Sequence, residues 1–582
     1  MDNDIFNRIH LPLYFIACFL WLVSHQLPAQ EVICGMQEHF EREHYHAKDA
    51  STCLPIDPKH HSTCYNADVF LPSSTDNHIP IRINLIFLQR NDGTGNFQEN
   101  NEDHQIYLDE AMEQLNHLFA NLTQDIDTPH CYVGSTFVND TKVRFVDNRY
   151  YIRDEYGWDS QDSTYGFHCQ YDNWYLVYLD NAIRQCDTIL PGINVFFTEH
   201  AGHYYQYENG ITVHYLGSSA CSRFPVFDNM NHSSRVHMPE RYTQYWCKVF
   251  LQHPDANDSV HALLRTKYAG WLVRTLSHEL GHSLNLYHPS NNLHDPYETC
   301  HNSIMNPGGA GRGDFLSSSK ISRMHYALMG SNLQNYVPAS AYAGTKIVAQ
   351  NVSFPQMRFY HSLSIQASDT MNCEAIMPEQ ATIYIRGGGN LTIDGGHLHS
   401  ITDKWNGVVV KEGGTLVLSN TSISDYNIVV EDGGILTVVG DLTLSGDHYI
   451  KVEDGGCICI DEHAIITLTN SFSIIDFYPN ALLGCSNTSD AHCVESVEEI
   501  LISGNGKIAT YNDTICIQNE TISSDVLKTG SSVKAGYDVT SQKPVGDVVV
   551  SSNGHLRIQS TGDVTLTRDV EVLLGGELDI RK

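Results

Sequence analysis

Residues 278–288 read His-Glu-Leu-Gly-His-Ser-Leu-Asn-Leu-Tyr-His, and this stretch decides the fold of the first half of the chain. His278 and His282 are four residues apart, so on a helix both imidazoles leave one face and can hold a single metal ion. Glu279 stands beside the first of them, where its carboxylate can take a proton from a metal-activated water without itself ligating. His288 comes six residues after His282, so a chain that ends its helix and turns back presents a third imidazole. Three neutral nitrogens with one position left open is the arrangement of catalytic rather than structural zinc. Upstream, Leu264, Tyr268, Leu272, Leu276 and Leu280 recur every four residues, which predicts an amphipathic helix capped by Asp258 or Ser259.

Asn302-Ser303-Ile304-Met305-Asn306-Pro307 follows, with Met305 seventeen residues beyond His288. Taken alone, Met305 reads as a core methionine in a loop punctuated by Pro and Gly. The two motifs together resemble the metzincin metalloproteases, whose zinc motif H-E-x-x-H-x-x-G-x-x-H is followed by a methionine turn. His278, Glu279, His282 and His288 fall on the matching positions, and Met305 matches the methionine that supports the zinc-binding rings in that family. Asn285 replaces the motif's glycine; that position needs a positive φ, which Asn tolerates best after Gly. The order of a strand over 79–90, a helix near 105–121 and a final helix within 315–334 is similar to pappalysin-like (cytophagalysin) secreted bacterial proteases. Pro307 departs from that subfamily, which often has tyrosine there, and matches adamalysins and matrix metalloproteases. A gluzincin arrangement, with Glu298 as third ligand, is the weaker alternative.

With 582 residues the chain is too long for one ordinary domain. Its 35 basic and 68 acidic residues leave a net charge of −33, which argues against nucleic-acid or anionic-membrane partners. The acidity suits a soluble secreted protein; Ca²⁺ at clustered acids is conceivable on composition but has no motif behind it. The apolar run Leu11–Val23, followed by Ala29 and Gln30, predicts a signal peptide over 1–30 and hence a secreted, extracellular protein with no membrane span after its removal. Of the 16 cysteines, Cys18 leaves with that segment, and an odd number of potential disulfide formers remains. Segment 31–78 reads as a pro-segment. The resemblance implies that Cys34, in Ile33-Cys34-Gly35, acts as a cysteine switch on zinc, and a disulfide to Cys53 or Cys64 is the alternative.

The second half repeats. Val408–Leu418, Ile428–Val438 and Ile450–Ile460 carry Gly-Gly pairs at 413, 433 and 455, spaced by 20 and 22 residues, with a weaker copy around Gly554 and Gly576. Short β-branched strands separated by Gly-Gly turns at this period predict a β-solenoid or stacked hairpins. Cys457 and Cys459, two apart on one strand face, cannot readily bond each other and either stack inside or pair with Cys485, Cys493 or Cys516.

The sequence therefore predicts a multidomain chain: an α+β (α/β/α) metzincin-like catalytic domain over 79–336, a linker over 337–380, and an all-β solenoid-like repeat domain over 381–582. The expected activity is zinc-dependent hydrolysis of protein or peptide substrates. One Zn²⁺ sits on His278, His282 and His288, Glu279 is the general base, and the repeats offer a carbohydrate or cell-surface contact. The rival from another class is an adhesin whose protease-like domain is vestigial or only self-processing.

Overall fold

The computed structural model describes residues 67–124, 137–158, 174–198, 203–208, 211–216, 220–227, 234–238, 258–288, 303–306 and 313–581, except for 403–404, 472, 479, 485–492, 495, 511–513, 531 and 561–562. The signal segment, Cys34, Cys53, Cys64, Glu298 and Pro307 lie outside the described residues.

The strand predicted over 79–90 forms as β1 (Ile79–Gln89), and it is nearly all buried. It pairs in parallel with β2 (Val143–Arg153) and β3 (Ile193–Phe197). A hairpin of β4 (His203–Glu208) and β5 (Ile211–Leu216) stands apart from this sheet. Beyond β3 come the edge strands β6 (Cys221–Ser222) and β7 (Arg235–Met238), in the order β2-β1-β3-β7-β6, with β6 alone antiparallel.

Because successive side chains alternate across a strand, β1 serves two cores. Ile81, Ile83, Leu85 and Phe87 join one with helix α1 (Glu102–Ala120) and helix α3 (Asp258–Ser283). Ile86 and Leu88 join the other with Leu176, Leu179 and Ile183 of α2 (Trp174–Arg184). The first region is thus α/β with helices on both faces. Helix α1 starts at Asn101, whose side chain accepts from the His104 amide, with Glu102 and Asp103 at the positive end of its dipole.

A row of amides fixes the register of the sheet. Asn148, Asn84 and Asn194 face one another across three strands. Asn148 Nδ2 donates to Asn84 Oδ1 at 3.3 Å, Asn84 to Asn194 at 2.9 Å, and Asn194 to the Asp180 carboxylate of α2 at 2.7 Å. A one-residue slip would leave several of these buried groups unpaired, which is costly.

From Thr345 the chain winds into parallel coils. One eight-stranded sheet runs from Thr345–Val348 to Lys507–Thr510, and a seven-stranded sheet from Ser353–Phe354 to Leu482–Leu483. The strands of the third face lie in two shorter sheets. Among the described residues the paired strands of successive coils run parallel, which selects a solenoid over stacked hairpins. Ile385, Val410, Val430 and Val452 stack in register and are fully buried.

The Gly-Gly pairs have a division of labour. Gly413, Gly433 and Gly455 adopt φ of 72°, 71° and 77°. At Gly414, Gly434 and Gly456 a Cβ would collide with the Ile385, Val410 and Val430 carbonyls of the preceding coil. Cys459 is bonded to Cys493, with Cα atoms 5.3 Å apart. Cys373 and Cys457 are also in disulfides, whereas Cys186 and Cys516 are free thiols. Residues 514–581 form a second, smaller stack with its own core around Ile517, Val533, Val548 and Leu556.

The predicted linker over 337–380 is replaced by coil structure. Strands Ser362–Ile365 and Glu374–Met377 pair with later coils, and one core cluster runs from Val69 to Ile500. The first coils also finish the helix α4 (Ser318–Gly330) and the turn after it. Tyr360 Oη donates to Leu328 O at 3.0 Å, and buried Arg358 donates to the carbonyls of Gln334, Val337 and Pro338. The Leu328 carbonyl is one that a helix end leaves without an internal partner, and Arg358 satisfies carbonyls of the segment that follows. No helix among the described residues is long and apolar enough to cross a membrane.

Candidate metal centre

Helix α3 carries His278, Glu279 and His282 in its last two turns, and Leu272, Leu276 and Leu280 bury its apolar side. It stops in a Schellman arrangement: the Leu286 amide donates to Gly281 O and the Asn285 amide to His282 O, both at 2.9 Å. This geometry requires a left-handed residue, and Asn285 has φ 70°, as the sequence predicts. The reversal returns His288 to the helix. His288 Nε2 lies 3.0 Å from both His278 Nε2 and His282 Nε2.

The other ring nitrogens of His278 and His282 are committed to the backbone. His278 Nδ1 lies 2.9 Å from Ile304 O, and His282 Nδ1 lies 2.7 Å from Leu286 O. A carbonyl only accepts, so each Nδ1 carries the proton and each Nε2 presents a lone pair inward. Two such lone pairs, each 3.0 Å from His288 Nε2, form a nitrogen cluster that favours a bound cation. Nitrogen ligands of tetrahedral zinc are roughly 3.3 Å apart for bonds of about 2.0 Å, close to this spacing. Among the described residues, these three histidines are the group of metal-ligating side chains that could hold an ion.

Met305 is fully buried against α3, where a Cβ on Gly281 would run into its thioether. Its loop is pinned: Ile304 N donates to Phe315 O at 3.1 Å, and Ser303 pairs with Phe315 as an isolated bridge. Ile304 thereby links Phe315, at the approach to α4, to the ring of His278. Glu279 is 5% exposed, adjacent to His278 on the same helix. His237 of β7 is a structural histidine by contrast: it meets Thr198 Oγ1 at 2.7 Å, and burial pushes its imidazole down to about 4, so it is neutral at ordinary pH.

The structure thus brings His278, Glu279, His282, His288 and Met305 together, while Cys34 falls outside the described residues. Sequence reasoning missed the aromatic neighbours. Phe224 packs 5.2 Å from the His282 ring and stacks on Tyr287 at 4.5 Å, with Arg323 of α4 over the far ring. It also missed the Leu286 and Ile304 carbonyls, which have no side-chain signature. No protein-family model matches the chain, and no curated protein matches it.

Proposed function

We propose that the chain is a secreted zinc-dependent endopeptidase of metzincin type, closest to the pappalysin-like enzymes, with its repeats as an attached solenoid. The observation that carries this reading is the convergence of three imidazole Nε2 atoms, with the Nδ1 atoms of His278 and His282 held by backbone carbonyls and Glu279 following His278 on the same helix. Zinc bound by His278, His282 and His288 supplies Lewis acidity, polarising the scissile carbonyl and making water a better nucleophile near neutral pH. The Glu279 carboxylate takes the proton of the attacking water and hands it to the leaving amine. The Ile304 and Leu286 carbonyls keep the two helix imidazoles in the ligating tautomer. Met305 supports the rings and does no chemistry.

The test is hydrolysis of a denatured protein by the zinc-loaded full chain beside its Glu279→Ala variant. The variant is expected to keep zinc and fold and to lose nearly all turnover; full activity would sink the mechanism. His288→Ala is expected to weaken zinc binding, and unchanged metal content would remove His288 from the ligand set.

A further inference from the structure

Arg323 has a setting that the peptidase mechanism does not use. Its guanidinium carbon lies 5.5 Å from the centroid of Tyr287, the residue immediately before the ligand His288. Through Tyr287 and Phe224 it is two rings away from His282. Stacking occupies only the face of a guanidinium and leaves its in-plane N–H groups to bind other partners. Arg323 Nε is buried and donates to no group among the described residues. The side chain makes no ion pair or hydrogen bond among the described residues.

Other arginines of the same region are engaged. Arg149 pairs with Asp109 and Asp147, Arg144 with Asp140, Arg235 with Asp180, and Arg358 donates to three carbonyls. Buried donors left unsatisfied are costly, and a ligand that completes them recovers that cost. The matching ligand is planar and anionic, which a carboxylate satisfies by accepting parallel N–H bonds.

We propose that Arg323 recognises a carboxylate of the substrate, so that the protein selects peptides bearing an acidic side chain or a free C-terminus within a few residues of the scissile bond. The inference rests on the peptidase reading for the identity of the ligand as substrate. It assigns Arg323 to specificity, not to catalysis.

The experiment measures binding, so that it is independent of turnover. Zinc-loaded full-length Glu279→Ala protein is titrated into fluorescent nonapeptides in matched pairs. One pair contrasts Glu with Gln at successive positions, and the other a free with an amidated C-terminus. The expected result is binding at least tenfold tighter for the acidic member of one pair, and the pair that shows it identifies the carboxylate's source. Arg323→Gln is expected to erase that difference while leaving zinc affinity and neutral-peptide binding unchanged, and Arg323→Lys to retain part of it.

Equal binding of both members of every pair would overturn the proposal, even if Arg323→Gln fails to fold. An acid preference that survives Arg323→Gln would overturn it as well. So would loss of zinc affinity with equal weakening for acidic and neutral peptides, because that outcome marks a residue that only supports Tyr287. A parallel cleavage assay with the Glu279-containing protein separates the two ideas. Silence towards all peptides with the acid preference intact would count against the peptidase reading and leave the carboxylate site standing.

Discussion

Gly281→Ala sets two effects of known size against each other at the metal centre. In an open helix interior this change stabilises by about 1 kcal/mol, because alanine gives up less backbone entropy than glycine. Here the new methyl falls on the Met305 thioether, with Met305 Cε at 3.2 Å and Leu286 Cδ1 at 3.6 Å. Met305 is fully buried and its loop is bonded to Phe315, so the sulfur can yield only by moving Ile304 or repacking the core. Overpacking of this kind costs about 1–3 kcal/mol. The expected net is a loss of up to about 2 kcal/mol in place of the usual gain. Because Ile304 O accepts from the His278 ring, zinc affinity should fall with stability.

Chemical unfolding with and without zinc, together with chelator competition, reads both quantities. The double variant Gly281→Ala/Met305→Ala is the internal control, since without the thioether the methyl has room. It should be less damaged than the two single losses added together, by about 1 kcal/mol or more. A stabilised Gly281→Ala protein with unchanged zinc affinity, or strictly additive losses, would refute the packing argument.

At the turn, Asn285→Gly is expected to change stability and zinc affinity little. Asn285→Val must place a β-branched residue at φ 70°, at a cost of roughly 1–2 kcal/mol, or about tenfold in zinc dissociation constant if the strain falls on the bound state. Chelator competition on the pair decides it, and equal affinities would detach the turn from the metal site. In the first coils, burial raises the Asp369 carboxyl to about 6 against the opposing hydrogen bond from Val352 N at 2.7 Å. The folded chain therefore holds that proton more tightly than the unfolded one. This contribution to stability is present below about pH 4 and is lost as pH rises through 6. Asp369→Asn is expected to gain up to about 3 kcal/mol above pH 6 and nothing below pH 4, as read from melting against pH; a gain independent of pH would show that the charge is not its source. A chain ended after residue 336 is expected to lose cooperative unfolding even with zinc, because Arg358 and Tyr360 go with the removed part. A truncated chain that melts sharply and binds zinc would show that the coils are dispensable.

The helix of the candidate metal site was legible because His278, His282, Glu279 and the leucines all obey one helical period, and the turn because its key position admits few residue types. Asn285 announced a left-handed residue, and the structure has one there. Helix α2 offered a comparable signal, Leu176, Leu179 and Ile183 on one face, which sequence reading passed over. The coils before residue 381 were illegible for a definite reason. Strands Thr345–Val348, Ser362–Ile365 and Ile383–Ile385 already follow a similar spacing, but the first two turns do not carry the Gly-Gly pair that marks later ones. The carbonyls that orient His278 and His282 were beyond reach because any residue type supplies a carbonyl.

The position of those carbonyls explains why the candidate metal site and the solenoid share one core. His278 is oriented by Ile304, Ile304 is tied to Phe315, and Phe315 leads into α4. The far end of α4 is completed by Tyr360, and the segment after it by Arg358, both supplied by the first coils. Asp76, just before β1, lies 3.4 Å from His361 Nε2 of the same coils; burial pushes its carboxyl up, but the neighbouring His361 ring and the bonds from Ser73 outweigh that and bring it to about 2. The coils thus hold both the entry to β1 and the exit of α4, between which the sheet and site helix are strung. A rung deleted far along the stack should leave the candidate metal site untouched, whereas a disturbance of the first coils reaches His278 through helix α4 and a series of side-chain-to-backbone hydrogen bonds. In energetic terms, the repeat region divides between coils that anchor the site and coils that extend away from it.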